Sequence, residues 1–149
     1  HMGTTLVCAV ARSDMAVIGN IGDSRAYHIT PEGIFQISRD HSVVENMVAK
    51  GDLTPLEART HPNRNLITRA LGPDIHAKAD TFELPWHKDE FLLLCSDGLV
   101  NTVSDQEMLF EVLHDGDVNE CLDHLLQISL QRGAPDNITA VLLLNEEGR

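Results

Sequence analysis

The sequence predicts an α+β fold, with sheets and helices packed outside them, and three observations carry that prediction. Strand-like segments follow one another at the start of the chain. Two Ser/Thr-x-x-Glu capping boxes open helical segments further on. A continuous apolar run, Phe91-Leu92-Leu93-Leu94-Cys95, reads as a buried strand and ends on Ser96-Asp97-Gly98.

Taken in order, residues 4–11 alternate loosely, Arg12-Ser13-Asp14 turns the chain, and 15–21 complete a hairpin. Residues 25–29 form a third strand. Thr30-Pro31-Glu32-Gly33 then places proline second and glycine fourth, as a type I turn prefers, before a fourth strand over 34–38. The pattern next turns helical. Val43, Val44, Met47 and Val48 are helically spaced, with Gly51 as the stop. Thr54, Pro55 and Glu57 supply a second helix with its N-cap, first residue and capping box, and His61-Pro62 ends it. Asn63-Arg64-Asn65 is a polar loop leading into 66–71. Such an excursion between strands, about 41–66, has the character of an insertion beside a site. Strands resume over 78–84 and 90–95. Ser104 and Glu107 box the start of a helix whose apolar face is Met108, Leu109, Val112 and Leu113. A further helix over 118–132 buries Cys121, Leu122, Leu125, Leu126 and Ser129 and stops at Gly133. Residues 138–144 make the last strand.

Composition narrows the function classes. A chain of 149 residues is one domain by size. Its net charge of −12 argues against nucleic acid and against anionic membrane surfaces. No stretch reads as a membrane span or signal peptide, and a cytoplasmic setting is expected. Cys8, Cys95 and Cys121 are odd in number and lie in apolar runs, so they read as core residues. His1-Met2 reads as the remnant of a cleaved purification tag, leaving 3–149 as a single domain.

Three strand ends each carry an aspartate: Asp23 after 16–22, Asp97 after 91–95, and Asp136 before 138–144. Singly, each is an ordinary turn former. Converged, they make an all-oxygen site for hard divalent cations. Ser24 and Ser96 have no histidine placed to activate them and read as hydrogen-bonding neighbours. His41 reads as a capping group at a helix entry, and Arg25 as an ion-pair partner. Arg64 and Arg69 are candidates for meeting an anionic group's charge through bidentate bonds, with solvated loop arginines the equal alternative.

The strings Gly22-Asp23-Ser24-Arg25, Cys95-Ser96-Asp97-Gly98-Leu99 and Gly133-Ala134-Pro135-Asp136-Asn137-Ile138-Thr139 occur in that order. With Gly3-Thr4-Thr5, Asp40-His41-Ser42 and Thr68-Arg69-Ala70-Leu71-Gly72, the chain resembles the bacterial-type, metal-dependent Ser/Thr protein phosphatases of type 2C, the PPM family. The resemblance implies an antiparallel β-sandwich flanked by helix pairs, with 41–66 as a flap. It also implies hydrolysis of phosphate monoesters on a phosphorylated protein by water activated at a binuclear Mn²⁺ or Mg²⁺ centre. Asp97 and Asp136 match ligands of that centre, and Asp23 matches a third, weaker site. Asn101 stands where some members place another acid. The family pattern begins upstream of Gly3, with an Asp-Gly-Met-Gly-Gly-type motif that supplies a bridging carboxylate. The expectation is therefore a C-terminal portion of the catalytic domain, weak in metal binding, inactive alone, and prone to self-association or strand exchange. The alternative is a non-catalytic phosphatase-like binding module.

Overall fold

The computed structural model describes residues 2–147, so His1 of the expected tag remnant lies outside the described residues. Twelve elements follow one another: β1 (Leu6–Ala11), β2 (Met15–Ile21), β3 (Arg25–Thr30), β4 (Gly33–Gln36), α1 (Val43–Lys50), α2 (Pro55–Thr60), β5 (Asp80–Pro85), β6 (Phe91–Cys95), α3 (Asp97–Val100), α4 (Asp105–His114), α5 (Val118–Gln131) and β7 (Ala140–Leu144). The strands form two antiparallel sheets, ordered β1-β2-β5 and β4-β3-β6-β7.

Strand β6 explains the layering. Side chains alternate across a strand, so Leu92 and Leu93 point to opposite faces. Leu92 joins Ala16, Ile18, Ala26, Leu84 and Trp86 in a core between the sheets. Leu93 and Cys95 join Tyr27, Leu99, Met108, Val112, Cys121 and Leu125 in a second core under the helices. Both faces of β6 are covered, which accounts for its unbroken apolar run. Each fully buried aliphatic side chain there stabilises the fold by roughly 1.5–3 kcal/mol.

The helices begin where their caps dictate. Thr54 and Ser104 each accept the N–H of the residue three further on, and Glu57 and Glu107 return the bond to the cap N–H. Gly51 closes α1 in the left-handed conformation, with its N–H bonded to the Met47 and Val48 carbonyls. A one-turn helix, α3, appears where the sequence suggested only a turn.

Several expectations change. The second sheet carries the helix pair α4–α5, but the outer face of β1-β2-β5 has no helix over it among the described residues. Leu6, Val10, Met15 and Val17 are exposed there. Cys8 lies on that face and is exposed, so it is not a core residue; Cys95 and Cys121 are buried, and all three are free thiols. Leu126 is 41% exposed, because α5 directs Cys121, Leu125 and Ser129 inward and Leu126 lies off that stripe. No helix among the described residues is long and apolar enough to cross a membrane.

Candidate metal centre

Register in the second sheet decides where the aspartates fall. Arg25 of β3 pairs with Cys95 of β6, and Cys95 pairs with Ala140 of β7. The start of β3, the end of β6 and the start of β7 therefore share one rim. Asp23 lies two residues before Arg25, Asp97 two after Cys95, and Asp136 four before Ala140. The rim gathers all three, as the strand-end pattern predicted.

Local structure fixes each one. Gly22 has φ of +105°, a conformation that favours glycine, and a Cβ there would strike the Thr5 side chain. The Thr5 hydroxyl is bonded to the Ser24 hydroxyl at 2.7 Å on the other side of Asp23. Asp97 opens α3, where the helix's free N–H groups favour a negative charge. Gly98 lies so close to the Asn137 carbonyl that any Cβ would collide with it, which brings the Asp97 and Asp136 loops together. Ser96 accepts the Thr139 N–H at 3.0 Å and so ties the same two segments.

The electrostatics show like charges pressed together. Burial, then the charge of Asp97, pushes the Asp23 carboxyl up to about 6. Burial, then Asp136, raises Asp97, while the Gly98 N–H partly offsets the shift. Asp97 thus stands between the other two. No single point joins all three: among the described residues, the acid and histidine donors lying within 4.8 Å of one another are Glu111, Asp115 and His124, on the far helices. A row of carboxylates suits several cations in series better than one shared ion.

Arg25 offsets this row only in part and leaves Asp23 raised. Its Nε and a terminal nitrogen grip Asp40 at 2.9 and 2.7 Å, and the other terminal nitrogen donates to the Tyr27 hydroxyl at 3.0 Å. Tyr27 donates in turn to Asp105 at 3.3 Å. Arg25 is therefore an ion-pair partner, as expected, but of Asp40. Burial pushes the Cys95 thiol beneath the rim up to about 12, leaving it protonated and inert as a nucleophile.

A cavity of about 390 Å³ opens between the rim and α2, and Asp23, Asp97, Asp105, Arg59, Arg64 and Asn101 are among its lining residues. Arg59 spans to the Val100 carbonyl at 3.2 Å and Asn101 donates to Asn65 at 3.3 Å, so both join the excursion to α3. Of the two candidate arginines, Arg64 lines this cavity. Arg69 instead donates to Asp80 at 3.1 Å and to the Lys78 carbonyl at 3.0 Å. The network of Arg25, Tyr27, Asp40 and Asp105 went unread in the sequence. Only the i, i+2 spacing of Arg25 and Tyr27 on one strand face hinted at it.

The donor set fits divalent cations. It is all oxygen, burial and then neighbouring carboxylates raise Asp23 and Asp97, and the guanidinium of Arg25 is bonded to Asp40. An antiparallel two-sheet sandwich with aspartates on one rim frames this site, and comparison with known proteins gives it a family. The sequence model for protein phosphatase 2C matches residues 1–142, and the chain belongs to that family, of the bacterial PPM type. It is 37% identical over 151 residues to the serine/threonine phosphatase stp of Listeria monocytogenes, an alignment covering 99% of this chain and 60% of that protein. The crystal structure of serine/threonine phosphatase Stp1 from Staphylococcus aureus superposes with a TM-score of 0.92 at 42% identity, covering 96% of this chain and 56% of that one. The catalytic domain of the serine/threonine phosphatase PstP, solved in complex with two manganese ions, gives 0.84 at 34% identity, covering 95% and 58%. The chain spans about 60% of the length of the Listeria and Streptococcus relatives it matches.

Proposed function

We propose that this chain forms the Asp23–Asp97–Asp136 side of a metal-dependent phosphatase centre acting on phosphoserine and phosphothreonine in proteins. The observation that carries the reading is the shared rim of β3, β6 and β7, on which Asp97, raised by burial and then by Asp136, adds to the burial that raises Asp23. Asp97 and Asp136 hold the binuclear part, with Mn²⁺ or Mg²⁺ as the ions, and Asp23 with Asp97 holds a third, weaker one. When bound, such ions supply a water of lowered pKa and neutralise phosphoryl oxygens. The residues of the chain do the rest. The rim orients the carboxylates, α3 fixes Asp97, and Arg64 faces the substrate across the cavity. The excursion over 41–66 serves as the flap of that cavity. A covalent protein nucleophile is not required.

Two carboxylates are few for two ions, so cation affinity of this chain is weak and turnover by it alone is close to background. A non-catalytic binding module has no need of a self-repelling carboxylate row. The exposed aliphatic face of Leu6, Val10, Met15 and Val17 supports self-association as part of the reading. The test is Mn²⁺ titration by calorimetry, with p-nitrophenyl phosphate hydrolysis and a sedimentation run on the same samples. Weak binding lost in Asp97→Asn supports the site. Binding indifferent to Asp97→Asn, or turnover well above background that survives Asp97→Asn, overturns it, and a monomer at high concentration removes the self-association.

A further inference from the structure

His41 is 6% exposed, and every polar group it has is used. Its backbone N–H donates to the Gly22 carbonyl at 2.9 Å, and its ring Nδ1 accepts the Gly22 N–H at 3.0 Å. A backbone N–H is accepted only by an unprotonated ring nitrogen, so the proton of the neutral ring sits on Nε2. Nε2 lies 2.7 Å from Asp80, whose other oxygen takes Arg69 at 3.1 Å. The helix cap expected of His41 is made by Ser42 instead.

From these contacts we propose that His41 is a positioning residue that sets the approach of Asp23 to Asp97. Both peptide groups of Gly22 are held by one residue, and Gly22 immediately precedes Asp23. A glycine at positive φ has the freest backbone of any residue, while Asp23 and Asp97 repel one another. Without a clamp, the repulsion relaxes by turning Gly22. His41 removes that escape, and the Asp80–Arg69 pair holds the ring in the tautomer that accepts. The same residue anchors the excursion. Its carbonyl accepts the Thr68 N–H at 2.9 Å, and Val43 next to Ser42 donates to Leu66 at 3.0 Å. The ends of the loop bordering the cavity and the loop carrying Asp23 therefore meet at one residue, the former through the His41 carbonyl and the latter through its ring. This explains two residues that the site does not use directly, His41 and Arg69. The inference rests on the proposed function only in taking Asp23 as a cation ligand; the clamp itself is independent of any ion.

The test separates the two. Asparagine places an oxygen near the Nδ1 position and keeps the acceptor, whereas glutamine places its amide near Nε2 and loses it. In the cation-free chain, ¹⁵N NMR of the wild type should show a scalar coupling across the Gly22 N–H to His41 Nδ1 bond. In His41→Gln the amide of Gly22 should exchange roughly tenfold faster, the factor expected for loss of about one hydrogen bond, while Ile18 in β2 stays protected. His41→Asn should restore slow exchange at Gly22. Unchanged exchange in His41→Gln, or equal loosening in both variants with Ile18 affected as well, overturns the clamp. Mn²⁺ titration of the same variants is the second arm. Affinity retained in His41→Asn and weakened in His41→Gln supports positioning of Asp23. Equal affinity in both variants overturns that part. A wild type in which Asp23→Asn leaves Mn²⁺ binding unchanged sinks the phosphatase assignment of Asp23, and the exchange data still decide the clamp.

Discussion

Replacing Asp40 by alanine should cost the domain about 2–3 kcal/mol, a figure that follows from the geometry of its partner. Arg25 is held in a bidentate pair, with side-chain exposures of 22% for the arginine and 11% for the aspartate. Burial works against the Arg25 charge, and the Asp40 hydrogen bonds more than offset it, so the guanidinium stays protonated. Removing one partner of a fully buried pair costs roughly 3–5 kcal/mol, because the remaining charge stays desolvated. Residual exposure and the surviving Tyr27 contact reduce that to about 2–3 kcal/mol. Urea unfolding followed by circular dichroism is the assay. With a slope of about 2 kcal/mol per molar, the midpoint should fall by roughly 1 M. The double variant Arg25→Met with Asp40→Leu should recover most of the loss, since an apolar replacement of a whole buried pair is often neutral. A loss below about 1 kcal/mol in Asp40→Ala, or a double variant no better than the single, refutes the reasoning.

Other outcomes follow from the rim. Gly98→Ala drives a Cβ into the Asn137 carbonyl, so it should destabilise by about 1–3 kcal/mol and also weaken Mn²⁺ binding by separating Asp97 from Asp136; calorimetry and urea midpoints matching the wild type would contradict the close approach. The pH dependence has two opposing parts. Asp23 and Asp97 are raised in the folded chain, so the fold binds their protons more tightly than the unfolded chain does, and stability is lost as pH rises, for Asp23 through about 6. Glu107, held down to about 2 by Arg132 and then by the Ser104 N–H, contributes stability above its ordinary range that is lost as pH falls. In EDTA the urea midpoint should therefore be higher at pH 5.5 than at pH 7.5, and saturating Mn²⁺ should shrink the difference; a midpoint rising steadily from 5.5 to 7.5 in EDTA is the contrary result.

What the sequence made legible was local or periodic. Thr54 and Ser104 cap helices through bonds three residues long, and β6 advertises its burial by composition alone. The rim was legible because an aspartate beside a strand end needs only the sheet to bring it to its neighbours. Other features depend on what covers a face. Cys8 looks like a core residue in its run, but β1 belongs to the outer sheet and turns Cys8 to solvent. Leu126 fits a helical stripe as well as Leu125 does, and only the position of α4 decides between them. Long-range polar choices were hidden altogether. Asp40 is 15 residues from Arg25 and Asp105 is 78 from Tyr27. His41 bonds Gly22, 19 residues back, and Asp80, 39 ahead, and no spacing rule reports such a meeting.

Helix α2 buries none of its residues, yet it borders the cavity through Pro55, Ala58 and Arg59. Its folding rests on a proline, a capping box and one bond from Arg59 to the opposite wall. A segment so lightly indebted to the interior is free to change sequence without disturbing the layers beneath it. The mouth of the site is thus the part of this architecture where new recognition is least costly to evolve, while the carboxylates behind it stay put.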